Sequence, residues 1–117
     1  MKKLFQGVPA TLYIPLAARI YVSRHFPEYF YDEKALSLEK YIPGETIQKH
    51  SSEYDYMASA AREHVLDGKV RYFLSKNQKA NIVFLGAGLE TAYFRLGNHQ
   101  ANFYEVDLPE VIEVRRK

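Results

Sequence analysis

Three neighbouring residues, Gly86, Ala87 and Gly88, form the turn with the clearest potential for chemistry. They directly follow residues 81–85 (NIVFL), an uncharged and mostly apolar segment. A continuous apolar run of this length predicts a strand buried on both faces of a parallel sheet. Glycines at the carboxyl end of such a strand permit positive φ and let a ligand approach the backbone. We therefore predict a ligand-binding floor at this turn, with a simple strand-to-helix turn as the alternative.

Asp107 is the second candidate, because it ends another predicted strand, 101–106, and lies 21 residues after Gly86. At about this spacing a βαβ unit places a carboxylate that accepts hydrogen bonds from ribose hydroxyls. An aspartate here could instead cap a helix that begins at Pro109. The spacing alone leaves both roles open.

The glycine pattern also indicates which nucleotide fits the turn. The third glycine of a dinucleotide fingerprint would fall at position 91, where the chain has Thr91, and no lysine follows the glycines as a P-loop requires. Pyrophosphate is therefore disfavoured. A ligand with an adenosine ribose but no phosphate fits better, and S-adenosylmethionine is the common one. A Rossmann oxidoreductase that uses NAD(P) remains the alternative.

Three segments carry a specific resemblance: 83–91 (VFLGAGLET), 94–96 (FRL) and 104–109 (YEVDLP). They resemble the leucine carboxyl methyltransferase family of S-adenosylmethionine-dependent O-methyltransferases. That family carries a Leu-Gly-Ala-Gly-hydrophobic-Asp/Glu-Thr turn and a Glu-Val-Asp-hydrophobic-Pro turn. Residues 7–16 (GVPATLYIPL) are also similar to the amino-terminal helix of its bacterial members. The similarity spans nearly all 117 residues but less than half of a typical member.

The resemblance implies an α/β protein with a Rossmann-like class I methyltransferase fold, preceded by a helical region and incomplete as given. It also implies methyl transfer from S-adenosylmethionine to a carboxylate or hydroxyl oxygen, most simply of a small molecule. In the family, the residues that select the acceptor follow the second strand, so no catalytic residue is identified and the 117-residue piece alone is predicted to be inactive. A non-catalytic interaction module derived from this fold is a further alternative.

The same resemblance identifies the candidate site residues. It assigns cofactor binding to Arg62, Gly86, Ala87, Gly88 and Asp107, with Glu105 and Arg19 as weaker candidates. Arg62 would pair with the methionine carboxylate, which a guanidinium can bind through two hydrogen bonds. Without the resemblance, an arginine on a helix is an ordinary surface residue. Glu105 would support Asp107 from the same side of the strand, and Arg19 would turn toward the active site.

Helical patterns occupy the first two thirds of the chain. Periodicity predicts helices over 8–24 and 54–77, with a short helix capped by Asp32 between them. The apolar stripe of the long helix is assigned to Met57, Ala61, His64, Val65, Gly68 and Tyr72. A short helix over 89–95 separates the two strands. We divide the chain into a helical cap region, 1–78, and the first βαβ unit of a cofactor-binding domain, 79–117, which together form one domain of a longer chain.

Composition excludes several other classes of protein. The sixteen basic residues are scattered and nearly balanced by fourteen acidic ones, so no nucleic-acid footprint is visible. There is no cysteine, and the four histidines lack ligand spacing, so we expect no metal site. No signal peptide or membrane-spanning run is present in this sequence, which predicts a cytoplasmic protein without membrane contact.

Two parallel strands are too few for a stable sheet whose central member is apolar on both faces. We therefore expect a missing carboxy-terminal segment, a second chain or a second copy to complete the sheet. The sequence leaves the oligomeric state open.

Overall fold

The computed structural model describes residues 10–42, 53–97 and 100–116. These ranges contain five α-helices, one 3₁₀ turn and two strands. In chain order they are α1 (Ala10–His25), α2 (Glu33–Ser37), the 3₁₀ turn (Glu39–Tyr41), α3 (Glu53–Lys76), β1 (Asn81–Leu85), α4 (Ala92–Leu96), β2 (Asn102–Val106) and α5 (Pro109–Arg115). The predicted elements are all present, although the start of the first predicted helix, residues 8–9, lies outside the described residues.

Local capping chemistry explains where the short helices begin. The Asp32 carboxylate accepts a hydrogen bond from the Ala35 amide at 2.9 Å, which confirms the predicted N-cap of α2. Pro109 occupies the first turn of α5, where its missing amide proton costs nothing. Helix α4 begins at Ala92 rather than at the predicted residue 89, because Glu90 first closes a turn onto the Ala87 carbonyl.

Strands β1 and β2 pair in parallel, from Asn81 opposite Asn102 to Leu85 opposite Val106, and α4 lies between them in sequence. The protein is thus a mixed helix and strand structure with a small parallel sheet, compatible with a methyltransferase-like α/β fold. On one face Phe84 stacks on Phe103, with ring centroids 6.2 Å apart.

The other face of the sheet departs from the sequence prediction. Leu85 is 80% exposed, and Val83, Tyr104 and Val106 are also exposed. The expectation that β1 is buried on both faces is therefore wrong for the described part of the chain, where little packs against this side. The half-buried side contacts the rest of the protein.

Helix α1 is the centre of the core. Tyr13, Leu16 and Ile20 form one buried cluster with Ala35 of α2 and Leu89 of the glycine turn. Val22 packs farther along the same helix against Ala60 of α3 and Phe30. Helix α1 therefore connects the helical region directly to the turn after β1. Burial of a Leu or Phe side chain contributes about 1.5–3 kcal/mol, so this helix fixes the turn firmly.

The buried face of α3 differs from the predicted apolar stripe. Val65 is 54% exposed and Tyr72 is 69% exposed, whereas Asp67 is buried. The residues of α3 that are buried are Tyr56, Ala60, Asp67 and Leu74. Hydrophobic periodicity gave the wrong face because ion-paired carboxylates occupy part of the inward side. His64 stacks on the Tyr29 ring, with centroids 4.4 Å apart, at the exposed surface.

Candidate functional site

The turn after β1 has the backbone conformation that its glycines allow. Gly86 and Gly88 have φ values of +63° and +53°, in the left-handed region that disfavours side chains. The Gly86 and Ala87 amides both donate to the Val106 carbonyl, at 2.8 and 3.1 Å, and so extend the sheet into the turn. A Cβ atom at Gly86 would meet nothing within 4 Å, so the backbone there is open to a ligand.

Asp107 lies beside this turn and is hydrogen-bonded to it. Its Oδ2 accepts from the Gly88 amide at 2.8 Å, and its Oδ1 accepts from the Leu108 amide at 2.7 Å. These two bonds hold the pKa of the Asp107 carboxyl below its usual value, so the group is ionised at neutral pH. Each oxygen keeps a lone pair for a further donor. The alternative capping role is wrong, because Leu108 is the N-cap of α5 and has no side-chain cap bond.

A cavity of about 470 Å³ opens next to the turn, within the range of small-molecule sites. Its wall is formed by residues of α1, α3, β1 and the turn: Leu12, Pro15, Leu16, Arg19, Glu63, Leu66 and the segment 83–90. Four of the candidate residues therefore lie on this wall: Arg19, Gly86, Ala87 and Gly88. Asp107 and Glu105 do not line the cavity.

Arg62 does not line this cavity, although Glu63 and Leu66 on the same helix do. Its side chain is exposed, and no ion pair joins it to another residue within 10–42, 53–97 or 100–116. The structure thus places Arg62 outside the wall of this cavity. Its role with a cofactor carboxylate stays a prediction.

Arg19 reaches the turn from α1 and is only 2% exposed. Its Nη2 donates to the Leu89 carbonyl at 2.7 Å, and its Nη1 lies 3.4 Å from Glu90 Oε2. Its Nε lies 3.4 Å from Asp32 Oδ2, too poorly aligned to count as a hydrogen bond. Burial lowers the pKa of the Arg19 guanidinium, with the charges of Glu90 and Asp32 opposing that effect. The group stays charged and fixes the outer part of the turn.

Behind the cavity wall lies a buried charge cluster that joins α1, α2, α3, the turn and α4. We define the buried charge cluster as Arg19, Asp32, Glu63, Asp67, Glu90 and Arg95. Two arginines thus face four carboxylates. Because most members of the cluster are buried, each unpaired charge would be costly, so the members hold one another in place.

Arg95 is the hub of this cluster, with a side chain only 4% exposed. It binds Asp67 through two hydrogen bonds, Nε to Oδ2 at 2.7 Å and Nη2 to Oδ1 at 2.9 Å. It also donates to Asp32 at 2.8 Å, to Glu63 at 2.9 Å and to Glu90 at 3.3 Å. Burial alone would lower the pKa of Arg95, but its bonds to Asp67 and the charge of Glu90 outweigh it, and the pKa is raised.

The two glutamates of the cluster titrate differently. Burial, together with a hydrogen bond to Glu90, raises the pKa of Glu63 to about 7. Burial also opposes ionisation of Glu90, but the charges of Arg19 and Arg95 outweigh it and lower the pKa of that carboxyl. Glu90 is therefore ionised at neutral pH, whereas Glu63 gains or loses a proton in that range.

Arg115 of α5 connects the end of β2 to the glycine turn. Its Nη1 donates to the carbonyls of Gly88 at 2.8 Å and Glu90 at 2.9 Å, while its Nη2 lies 3.2 Å from Glu105 Oε1. Burial raises the pKa of Glu105, and Arg115 opposes the shift. The structure thus pairs Glu105 with Arg115, which contacts the turn. The predicted support of Asp107 by Glu105 stays a prediction.

Sequence reasoning missed most of these supporting groups. Arg115 stood in a run of three basic residues, 115–117, that was too short to indicate a function. Glu63 and Asp67 offered a signal, since residues four apart share one face of a helix. The inward face of α3 was instead predicted from its apolar residues.

The described residues contain neither a candidate metal site nor a candidate membrane-spanning helix. No group of three or more His, Cys, Asp or Glu residues there could hold a metal ion. None of the helices in ranges 10–42, 53–97 and 100–116 has the length and apolar character needed to cross a membrane.

Comparison with known protein families gives a match. The family model described as leucine carboxyl methyltransferase matches residues 13–117, which include the whole cavity wall except Leu12. No curated protein matches the chain. No solved structure matches it either.

Proposed function

The chain belongs to the leucine carboxyl methyltransferase family, a family of methyltransferases, and from this premise we propose a specific activity. The protein binds S-adenosylmethionine at the turn after β1 and transfers its methyl group to an oxygen of a small-molecule acceptor. Residues 79–117 form the first βαβ unit of a Rossmann-like methyltransferase domain, and residues 1–78 are its helical cap region. The cytoplasmic location stays a prediction from the sequence.

The observation that carries the proposal is the bond between Asp107 and Gly88. It places an ionised carboxylate with free lone pairs directly beside a glycine turn that is open to a ligand. Such a carboxylate can accept hydrogen bonds from both hydroxyls of a ribose. The glycines of the adjacent turn let the rest of the nucleoside approach the backbone closely. The cavity beside the turn has a suitable volume for this ligand.

Each residue of the proposed site has its own role in the reaction. S-adenosylmethionine supplies an electrophilic methyl group on a sulfonium when it is bound. Asp107 orients the ribose, and Gly86 and Gly88 give the backbone close access to the ligand. Arg62 pairs with the methionine carboxylate. Holding two reactants in line can lower a barrier by roughly 7–11 kcal/mol, so positioning is the main contribution of this site.

The acceptor oxygen belongs to a carboxylate or a hydroxyl group, and the two differ in the catalysis that they need. A carboxylate oxygen is already a nucleophile and needs no general base, whereas a hydroxyl acceptor needs one. The ionisable groups in the cavity wall are Arg19, Glu63 and Glu90. Both carboxylates are already paired with arginines, Glu63 with Arg95 and Glu90 with Arg19 and Arg95. A further segment, a second chain or a second copy completes the two-stranded sheet.

Neither alternative function gains support. In place of the third glycine of a dinucleotide site, Thr91 is buried and its hydroxyl donates to Asp32. That contact commits the position to the buried charge cluster and leaves it unsuited to a pyrophosphate. The match to a methyltransferase family likewise favours catalysis over a purely structural module.

Isothermal calorimetry with S-adenosylhomocysteine and the full-length protein tests the proposal. We expect micromolar binding by the parent protein and binding at least about tenfold weaker by Asp107→Ala and Arg62→Ala, as for hydrogen bonds to charged groups. Glu113→Ala, which removes an exposed acid of α5, serves as the control. Failure of a folded parent protein to bind the ligand, or tighter binding of NAD, would contradict the proposal.

A further inference from the structure

The cavity beside the glycine turn has an unusual electrostatic lining. Three ionisable side chains of its wall are Arg19, Glu63 and Glu90, and all three belong to the buried charge cluster. The glutamates are held close together because both contact Arg95 Nη2, at 2.9 Å and 3.3 Å. The Glu63 side chain is 20% exposed and Glu90 is 9% exposed, so Glu63 is the more open of the pair.

The charges behind this wall do not cancel when every group is ionised. The four carboxylates of the cluster exceed its two arginines, which leaves an excess of two negative charges, or one when Glu63 is protonated. In a partly dry cavity the field of such an excess is weakly screened. The wall therefore favours a ligand with an additional positive charge.

The proposed reaction changes the ligand by one charge. When the methyl group leaves, the bond between sulfur and the methyl carbon breaks, its electron pair stays on sulfur, and a carbon–oxygen bond forms to the acceptor. The cofactor enters with a sulfonium cation and departs as a neutral thioether. A negative cavity wall consequently distinguishes cofactor from product by charge, although the two differ by only one methyl group in size.

We propose that Glu63 is a specificity-determining residue that makes the cavity bind the sulfonium cofactor in preference to its thioether product. The inference rests on the proposed function. Glu63 contributes the variable part of the negative field, because Glu90 is ionised throughout the neutral range. Release of the product is thereby favoured once the positive charge has left the sulfur.

The groups that face Glu63 determine the direction of the pH effect. They are Arg19 of α1, Asp32 before α2, Glu90 of the turn and Arg95 of α4, with Asp67 one turn away on α3. Burial and the bond to Glu90 raise the pKa of Glu63 to about 7. Preference for the cofactor therefore increases as the pH rises through this value. By reciprocity, binding of the cofactor displaces a proton from Glu63.

Calorimetric titration of S-adenosylmethionine and S-adenosylhomocysteine into the full-length protein tests the inference. The measured quantity is the ratio of the two dissociation constants at about pH 6 and about pH 8. A unit charge several ångströms away in a partly shielded site predicts that the ratio changes by roughly tenfold across this range. Buffers with different ionisation enthalpies report the proton released, which a merely structural role for Glu63 would not produce.

Glu63→Gln provides the matched variant, because the amide keeps an oxygen that can accept from Arg95 but carries no charge. We expect this variant to show a ratio near that of the parent at low pH, without pH dependence or proton release. Glu113→Gln, an exposed acid of α5, should behave as the parent. If Glu63→Gln does not fold, a ratio in the parent protein that stays constant between about pH 6 and about pH 8 still refutes the role of Glu63.

The outcomes separate this inference from the proposed function. If neither ligand binds the folded parent protein, the proposed function fails. If both bind with a ratio that does not change with pH and is the same in Glu63→Gln, the function stands and the role of Glu63 is refuted.

Discussion

Removal of the Arg95 guanidinium is the most informative test of the buried charge cluster. Arg95→Met keeps a side chain of similar length but deletes the donor that contacts Asp32, Glu63, Asp67 and Glu90. The four carboxylates then face Arg19 as their only cation within the cluster. Breaking a buried ion pair from one side costs about 3–5 kcal/mol, and the 4% exposure of Arg95 leaves little solvent to reduce that cost.

The assay is urea denaturation of the full-length protein, followed by circular dichroism, which gives the free energy of unfolding. Arg24→Met is the control, because it breaks an exposed pair between Arg24 and Glu39 and should cost about 0–1 kcal/mol. Protonation relieves repulsion among the unpaired carboxylates, so the deficit of Arg95→Met should be smaller at about pH 5 than at about pH 8. A deficit below about 1 kcal/mol at both pH values would refute the structural role of the cluster.

Three further changes follow from the same contacts. The raised folded-state pKa of Glu63 should make the parent protein lose stability as the pH rises from about 5 to 8, because the unfolded chain ionises first. Glu63→Gln avoids this loss, so its free energy of unfolding should rise by about 1–3 kcal/mol relative to the parent over that range. A difference between the two proteins that does not change with pH would contradict the shift. Gly86→Ala should lower the free energy of unfolding by about 1–2 kcal/mol through its positive φ, whereas Gly68→Ala, inside α3 with free space around it, should raise it by up to about 1 kcal/mol, and thermal melts that show the same sign for both would disagree. Arg115→Met should weaken binding of S-adenosylhomocysteine several-fold, as expected for loss of hydrogen bonds from a charged donor to the Gly88 and Glu90 carbonyls, and calorimetry that gives the parent affinity would exclude this supporting role.

The backbone of the site was predictable from the sequence because it depends on local rules. The apolar run 81–85 predicted β1, glycine chemistry predicted the turn, and Pro109 predicted the start of α5. Asp32 was predicted as a helix cap for the same reason. Each of these inferences depends on the preferences of one or two residues for a backbone conformation.

The supporting charges were not predictable by such rules. Asp32, Glu63 and Arg95 come from distant parts of the chain, and a buried carboxylate looks like a surface residue until its partner is known. Hydrophobic periodicity therefore assigned the wrong inward face to α3. Val83 and Leu85 are exposed. Their exposure depends on which elements cover the sheet, and a run of apolar residues in the sequence does not indicate that.

A crystal structure of the full-length protein with S-adenosylhomocysteine would test the central claim most directly, namely that the turn after β1 binds the cofactor. We expect the ribose hydroxyls within hydrogen-bond distance of the Asp107 carboxylate and the ligand in contact with the backbone of Gly86 and Gly88. The sulfur atom should lie in the cavity that Glu63 lines. A ligand bound elsewhere, with Asp107 contacting only the amides of Gly88 and Leu108, would contradict the account.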